Sequence, residues 1–96
     1  MSVLIDFSIF PVGQNESVSP YVSRAVSIIK NSGLAYKLGP MGTAVEGEWE
    51  ELMALVTRCL NDLKKDCPRV YISLKVDYRK DGTNRIETKV KSVTRK

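Results

Sequence analysis

The chain has no histidine among its 96 residues. That absence removes the commonest general base, the usual nucleophilic triads and the commonest zinc ligand together. Any catalysis would have to run on carboxylates, lysine or tyrosine. Cysteine is scarce: Cys59 and Cys67 stand without Cys-x-x-Cys spacing and read as plain reduced residues of a cytoplasmic chain. No apolar run reaches the ~18 residues that a membrane span needs. Met1–Val12 lacks the basic start and small-residue cleavage site of a signal peptide. The glycine run Gly39-Pro40-Met41-Gly42 lacks the lysine and the serine or threonine of a phosphate-cradling loop. No catalytic residue, metal site or cofactor is therefore expected.

What is present suits one small domain, residues 1–96, with 43% hydrophobic residues to build its core. A core of that size makes self-association an economical way to bury more surface. The net charge of +4 is unevenly placed. Residues 1–77 carry eight basic and nine acidic side chains, and residues 78–96 carry seven basic and two acidic. The basic balance therefore belongs to the tail.

Val3, Ile5, Phe7 and Ile9 alternate with Leu4, Asp6, Ser8 and Phe10, the period of a strand whose odd positions face helices. Pro11 and Gly13 end it, and Gly13–Ser17 reads as a polar loop. Ser19-Pro20 reads as a helix N-cap followed by the first helical position. Val22, Ala25, Val26 and Ile29 supply its apolar stripe, with Gly33 at C′. Leu34–Leu38 predicts a second strand, with Leu34, Tyr36 and Leu38 on one face. Gly39–Gly42 turns the chain into a third strand, Thr43–Glu46.

Gly47-Glu48 opens a second helix, whose first turn gathers Glu48, Glu50 and Glu51 where the helix dipole favours acids. Its apolar stripe reads Trp49, Leu52, Met53, Val56, Cys59, Leu60 and Leu63, with Trp49 in the core. Val70, Ile72, Leu74 and Val76 alternate with Tyr71, Ser73, Lys75 and Asp77 as a fourth strand. Lys80–Thr83 turns, and Ile86, Val90 and Val93 mark a thin amphipathic helix.

The order strand, helix, strand, strand, helix, strand is the split βαβ pattern, an α+β ferredoxin-like sandwich with a four-stranded antiparallel sheet and a short C-terminal helix. Both longer helices cover one sheet face. The other is left open, with Asp6, Ser8 and Phe10 beside Tyr71, Ser73, Lys75 and Asp77, a mixed surface suited to the inside of an oligomer.

Several ordered stretches carry a resemblance. They are Phe10-Pro11-Val12-Gly13, the helix from Val22 ending in Asn31-Ser32-Gly33-Leu34, and Tyr36-x-Leu38-Gly39-Pro40-Met41-Gly42-Thr43-x-Val45-Glu46-Gly47-Glu48. Strand four from Val70 to Asp77 and the charged helix with Val90 and Val93 complete the set. In these the chain resembles the small thiamine-binding proteins related to YkoF. The resemblance implies a ferredoxin-like subunit that assembles as a homodimer or homotetramer. It also implies binding of thiamine or its aminopyrimidine moiety without a demonstrated reaction.

An aminopyrimidine needs an acceptor for its exocyclic amine and a donor for its ring nitrogens, and charge-assisted bonds are the stronger ones. Glu46 suits the first role and Thr43 the second, with Gly42 beside them. Strand parity puts Thr43 and Glu46 on opposite faces, so one ligand reaches both only at a strand end, a bend or a subunit contact. Ser8 and Ser73 on the open face are further donors, and Phe10 and Tyr36 are candidates for stacking. Each also has an ordinary structural reading. Lys75 between Asp6, Glu46 and Asp77 reads as a structural ion pair.

Three other classes compete with ligand binding. One is an enzyme with Asp6, Glu46 and Lys75 as an acid–base set, for which the sequence offers no reaction. An RNA-recognition domain shares the topology, and the tail is basic, but Thr43-Ala44-Val45-Glu46 has no aromatic for a base to stack on. A structural or regulatory oligomer without a small ligand also fits.

Overall fold

Val3, Ile5, Phe7 and Ile9 are each 4% exposed or less and draw the fold together. The computed structural model describes residues 2–13, 17–81 and 84–94. Their odd-numbered strand is β1 (Ser2–Pro11), followed by α1 (Ser19–Lys30), β2 (Ala35–Leu38) and β3 (Thr43–Gly47). The chain continues through α2 (Trp49–Leu63), β4 (Val70–Arg79) and α3 (Arg85–Thr94). The sheet order is β2-β3-β1-β4, antiparallel throughout. This is the expected ferredoxin-like arrangement with a C-terminal helix. The expected turn at Lys80–Thr83 and the loop at Gly13–Ser17 fall partly outside the described residues. No described helix is long and apolar enough to cross a membrane.

The two inner strands and the two longer helices close the core. Ile5, Phe7 and Val45 meet Ala25 and Ile29 of α1 and Leu52, Leu55, Cys59 and Leu63 of α2. Fully burying one such aliphatic or aromatic side chain contributes about 1.5–3 kcal/mol. Cys59 and Cys67 are both free and buried. Burial pushes the Cys59 thiol up to about 11, which makes it an inert core residue.

Register settles the faces. β1 pairs with β4 along its full length, from Ser2↔Arg79 to Pro11↔Val70. It pairs with β3 only from Val3↔Gly47 to Phe7↔Thr43. The inner strand therefore runs on past the point where β3 begins, and this mismatch shapes the site described below.

Several local expectations are corrected. Ser19 is already helical, and Val18 is the N-cap of α1. The Ser17 hydroxyl accepts from the Ser19 N–H at 3.2 Å. Pro20 still falls in the first turn, where its missing donor costs nothing. Asn31 is the C-cap, so Gly33 stands one position later than C′, at φ +82°. Trp49 is 47% exposed rather than core, because it is the first residue of α2 and side chains there lean back past the helix end. Leu55 takes the buried place instead, on a stripe of Leu52, Leu55, Cys59 and Leu63. Lys75 forms no ion pair among the described residues. Asp77 pairs with Arg85 at 2.6 Å and Lys89 at 2.8 Å.

The second sheet face is not wholly open. α3 lies on the end of it that carries Ser2, Glu46 and Asp77. The rest keeps the expected opposite pairs Asp6↔Lys75, Ser8↔Ser73 and Phe10↔Tyr71. The last two rings stack with centroids 5.4 Å apart.

Candidate functional site

Where β3 begins, the sheet opens into a notch of about 230 Å³. One wall is β1 from Phe7 to Phe10. Another is α1, through Val22, Ala25, Val26 and Ile29. The third is the β2–β3 hairpin from Leu38 to Thr43. The α1 wall is mostly valine and alanine, while α2 meets the sheet with leucines. The volume missing on the α1 side is part of why a cavity exists there.

The α1 wall is pinned from behind. Arg24 donates to Asp62 at 3.0 Å and to Asp66 at 2.7 Å, and its other nitrogen reaches the Asp62 carbonyl at 2.8 Å. The hairpin wall is pinned by its own turn. Pro40 and Met41 form the loop, and the Gly39 N–H donates to the Gly42 carbonyl at 2.8 Å. A Cβ on Gly42 would stand 2.7 Å from Asp6 Oδ1 and 3.4 Å from the Phe7 carbonyl oxygen. Glycine there lets the hairpin close against β1 and keeps the Asp6 carboxylate at the rim.

Of the expected site residues, Gly42, Thr43, Ser8 and Phe10 line this notch. Thr43 is the most buried residue among them, 4% exposed. Ser8 and Phe10 belong to the opposite sheet face from Phe7 and Ile9, yet all four border the cavity. The notch lies at a strand end, so it touches both faces. Its described lining holds no acidic or basic side chain.

Glu46, Tyr36 and Ser73 are elsewhere. Tyr36 sits on β2 opposite Val45, on the helix side, and Ser73 sits opposite Ser8 on β4. Glu46 is turned to the other face and buried under α3. Its Oε1 accepts from the Arg85 N–H at 2.8 Å and from the Ile86 N–H at 3.4 Å. The carboxylate thus satisfies two of the donors that a helix N-terminus leaves free.

The Arg85 guanidinium beside it reaches the Ser2 carbonyl and hydroxyl, the Asp77 carbonyl and the Asp77 carboxylate. Only its Nε is left without a partner among the described residues. Lys89 and Arg85 hold the Asp77 carboxyl below its ordinary range. This cluster fastens α3 and is a structural device.

The notch residues outside that expected set are Phe7, Ile9, Val18, the α1 stripe as a wall, and Leu38–Met41. The contrast between a valine- and alanine-rich α1 stripe and a leucine-rich α2 was the available signal.

Known proteins carry the same architecture. The crystal structure of protein MJ1052 from Methanocaldococcus jannaschii superposes with a TM-score of 0.88 at 36% identity, covering 97% of this chain and 96% of that one. A Thermotoga maritima candidate thiamine biosynthesis/salvage protein superposes at 0.86 with 30% identity, covering 97% and 99%. A UPF0045 protein of Mycobacterium bovis is 38% identical over 96 residues, which is 99% of this chain and 94% of that protein. A family profile described as thiamine-binding protein matches residues 5–94, and the chain belongs to that thiamine-binding family.

Proposed function

We propose that this protein binds thiamine, or a hydroxymethylpyrimidine relative, with the aminopyrimidine ring in the notch and without performing chemistry on it. The observation that carries this reading is the notch itself. It is apolar, close to 230 Å³, and bordered by Thr43, a buried residue that carries a hydroxyl. Sites for drug-sized ligands run to about 300–1,000 Å³, so this one suits a single ring rather than a phosphorylated two-ring molecule. Ile9, Val22 and Leu38 give the ring apolar contact, and Thr43 and Ser8 give it polar ones. The thiazolium of thiamine would stay at the rim, where the exposed Asp6 carboxylate faces Gly42.

The protein is further proposed to self-associate through its sheets, as a dimer or tetramer. Tyr71 on the uncovered part of the sheet supports this, as do Val76 and Tyr78 on the outer strand β4, all of them exposed.

Titration calorimetry with thiamine is the test. Saturable binding at one site per subunit, lost or weakened in Thr43→Val, supports the reading. No heat and no thermal shift at millimolar thiamine would refute it, since a ligand at ~100 times its Kd adds about 2.7 kcal/mol to stability.

A further inference from the structure

We infer that the main chain of Ile9, rather than any carboxylate, reads the donor–acceptor edge of the bound ring. This rests on the reading that the notch takes an aminopyrimidine, and it adds how that ring is chosen.

The argument comes from strand parity. In an antiparallel ladder the N–H and C=O of one residue point to the same neighbouring strand, and successive residues alternate sides. The Val12 N–H donates to the Arg69 carbonyl at 3.0 Å, on the β4 side, just past the Pro11↔Val70 pair. Even-numbered residues of β1 therefore bond to β4, and odd-numbered ones face β3. The position of Gly42 agrees, since a Cβ there would lie 3.4 Å from the Phe7 carbonyl oxygen.

Phe7 finds its partner in Thr43, the first residue of β3. Ile9 points the same way, but the hairpin has already turned at Pro40 and Met41 and no strand residue stands opposite. No backbone hydrogen bond from a described turn or loop reaches Ile9 either. Pro11, the next residue of that parity, has no N–H to offer. Among the described residues, Ile9 is thus the one of β1 that turns both a donor and an acceptor without a partner into the notch that it lines.

Ile9 is 4% exposed, and a buried N–H and C=O left without partners are unfavourable. An aminopyrimidine supplies what is missing. Its exocyclic amine donates to the carbonyl, and the adjacent ring nitrogen accepts from the N–H. The apolar notch strengthens both bonds by excluding water. The Glu46 carboxylate cannot take part, because it is committed to the N-terminus of α3.

The test compares thiamine with oxythiamine, whose ring carries a carbonyl in place of the amine and an N–H in place of the ring acceptor. The 4-amino-5-hydroxymethyl-2-methylpyrimidine is the third probe. Sites built to hydrogen-bond one pattern reject the mismatched one strongly, so oxythiamine should bind at least ~100-fold more weakly than either aminopyrimidine. In parallel, amide hydrogen exchange should slow at Ile9 by more than ~10-fold on adding thiamine, with Val12 unchanged, since its N–H is already bonded. Equal affinity for thiamine and oxythiamine overturns the inference while leaving thiamine binding intact. So does discrimination without protection at Ile9. Failure of both aminopyrimidines to bind overturns the underlying reading and the inference with it.

Discussion

Replacing Thr43 by valine keeps the shape of the notch wall and removes its hydroxyl. One neutral hydrogen bond is worth about 0.5–1.5 kcal/mol. Thiamine affinity should therefore fall by roughly 2- to 12-fold, while the melting temperature of the unliganded protein stays within a few degrees. Glu46 behaves oppositely. Glu46→Ala should leave thiamine affinity unchanged in calorimetry and destabilise the protein by about 1–2 kcal/mol in denaturant unfolding, as the loss of a helix cap does. The alternation of Thr43-Ala44-Val45-Glu46 already placed the two on opposite faces. It did not reveal that a helix some forty residues on would dock over Glu46 and take up its carboxylate, because that contact joins Glu46 to Arg85 across the fold.

At the scale of elements, α3 is held on by charge more than by apolar contact. Val90 and Val93 of its stripe are exposed, whereas Arg85 is 4% exposed and tied to Ser2 and Asp77. Lys89 and Arg85 depress the Asp77 carboxyl. A group with a lowered folded-state pKa stabilises above its unfolded pKa of ~3.9, and that stability is lost as the pH falls through the folded value. Amide exchange within α3 should accordingly speed up below about pH 4, ahead of the core strands. Asp77→Asn should remove most of that pH dependence.

Strand and helix boundaries were largely legible, since the period of Val3–Ile9 and of Val70–Val76 is a local property. Trp49 and Leu55 were not. An apolar stripe gives the direction a helix faces but not where along its axis the sheet stops. Trp49 lies beyond that limit and Leu55 well within it. In the core, Leu55→Ala should cost about 2–5 kcal/mol by chemical denaturation, with Trp49→Ala far milder.

For the whole molecule, five large exposed apolar side chains lie on the sheet: Tyr36, Leu38, Tyr71, Val76 and Tyr78. Tyr71 lies on the face away from the helices, and Val76 and Tyr78 lie on the helix side of the ten-residue outer strand β4. A long outer strand presents unpaired N–H and C=O groups to other chains. Sedimentation should find dimers or larger species, and the double substitution Val76→Lys with Tyr78→Lys should shift them toward monomer. The ferredoxin-like order was readable because alternation and helix signals came in sequence. The notch was not, because it is a difference between two pairing lengths, and register is invisible until strands are paired.

That difference has a plain consequence. β1 is longer than the partner laid against it, and the hairpin stops short of Ile9. A guest in the gap would stand in for the absent rung, so selectivity here would be set by where a loop turns more than by which side chains surround it. Moving the turn outward, with residues added to both arms of the hairpin, would let the chain heal its own sheet. Such a protein would be the sturdier of the two and would have no vacancy left to fill.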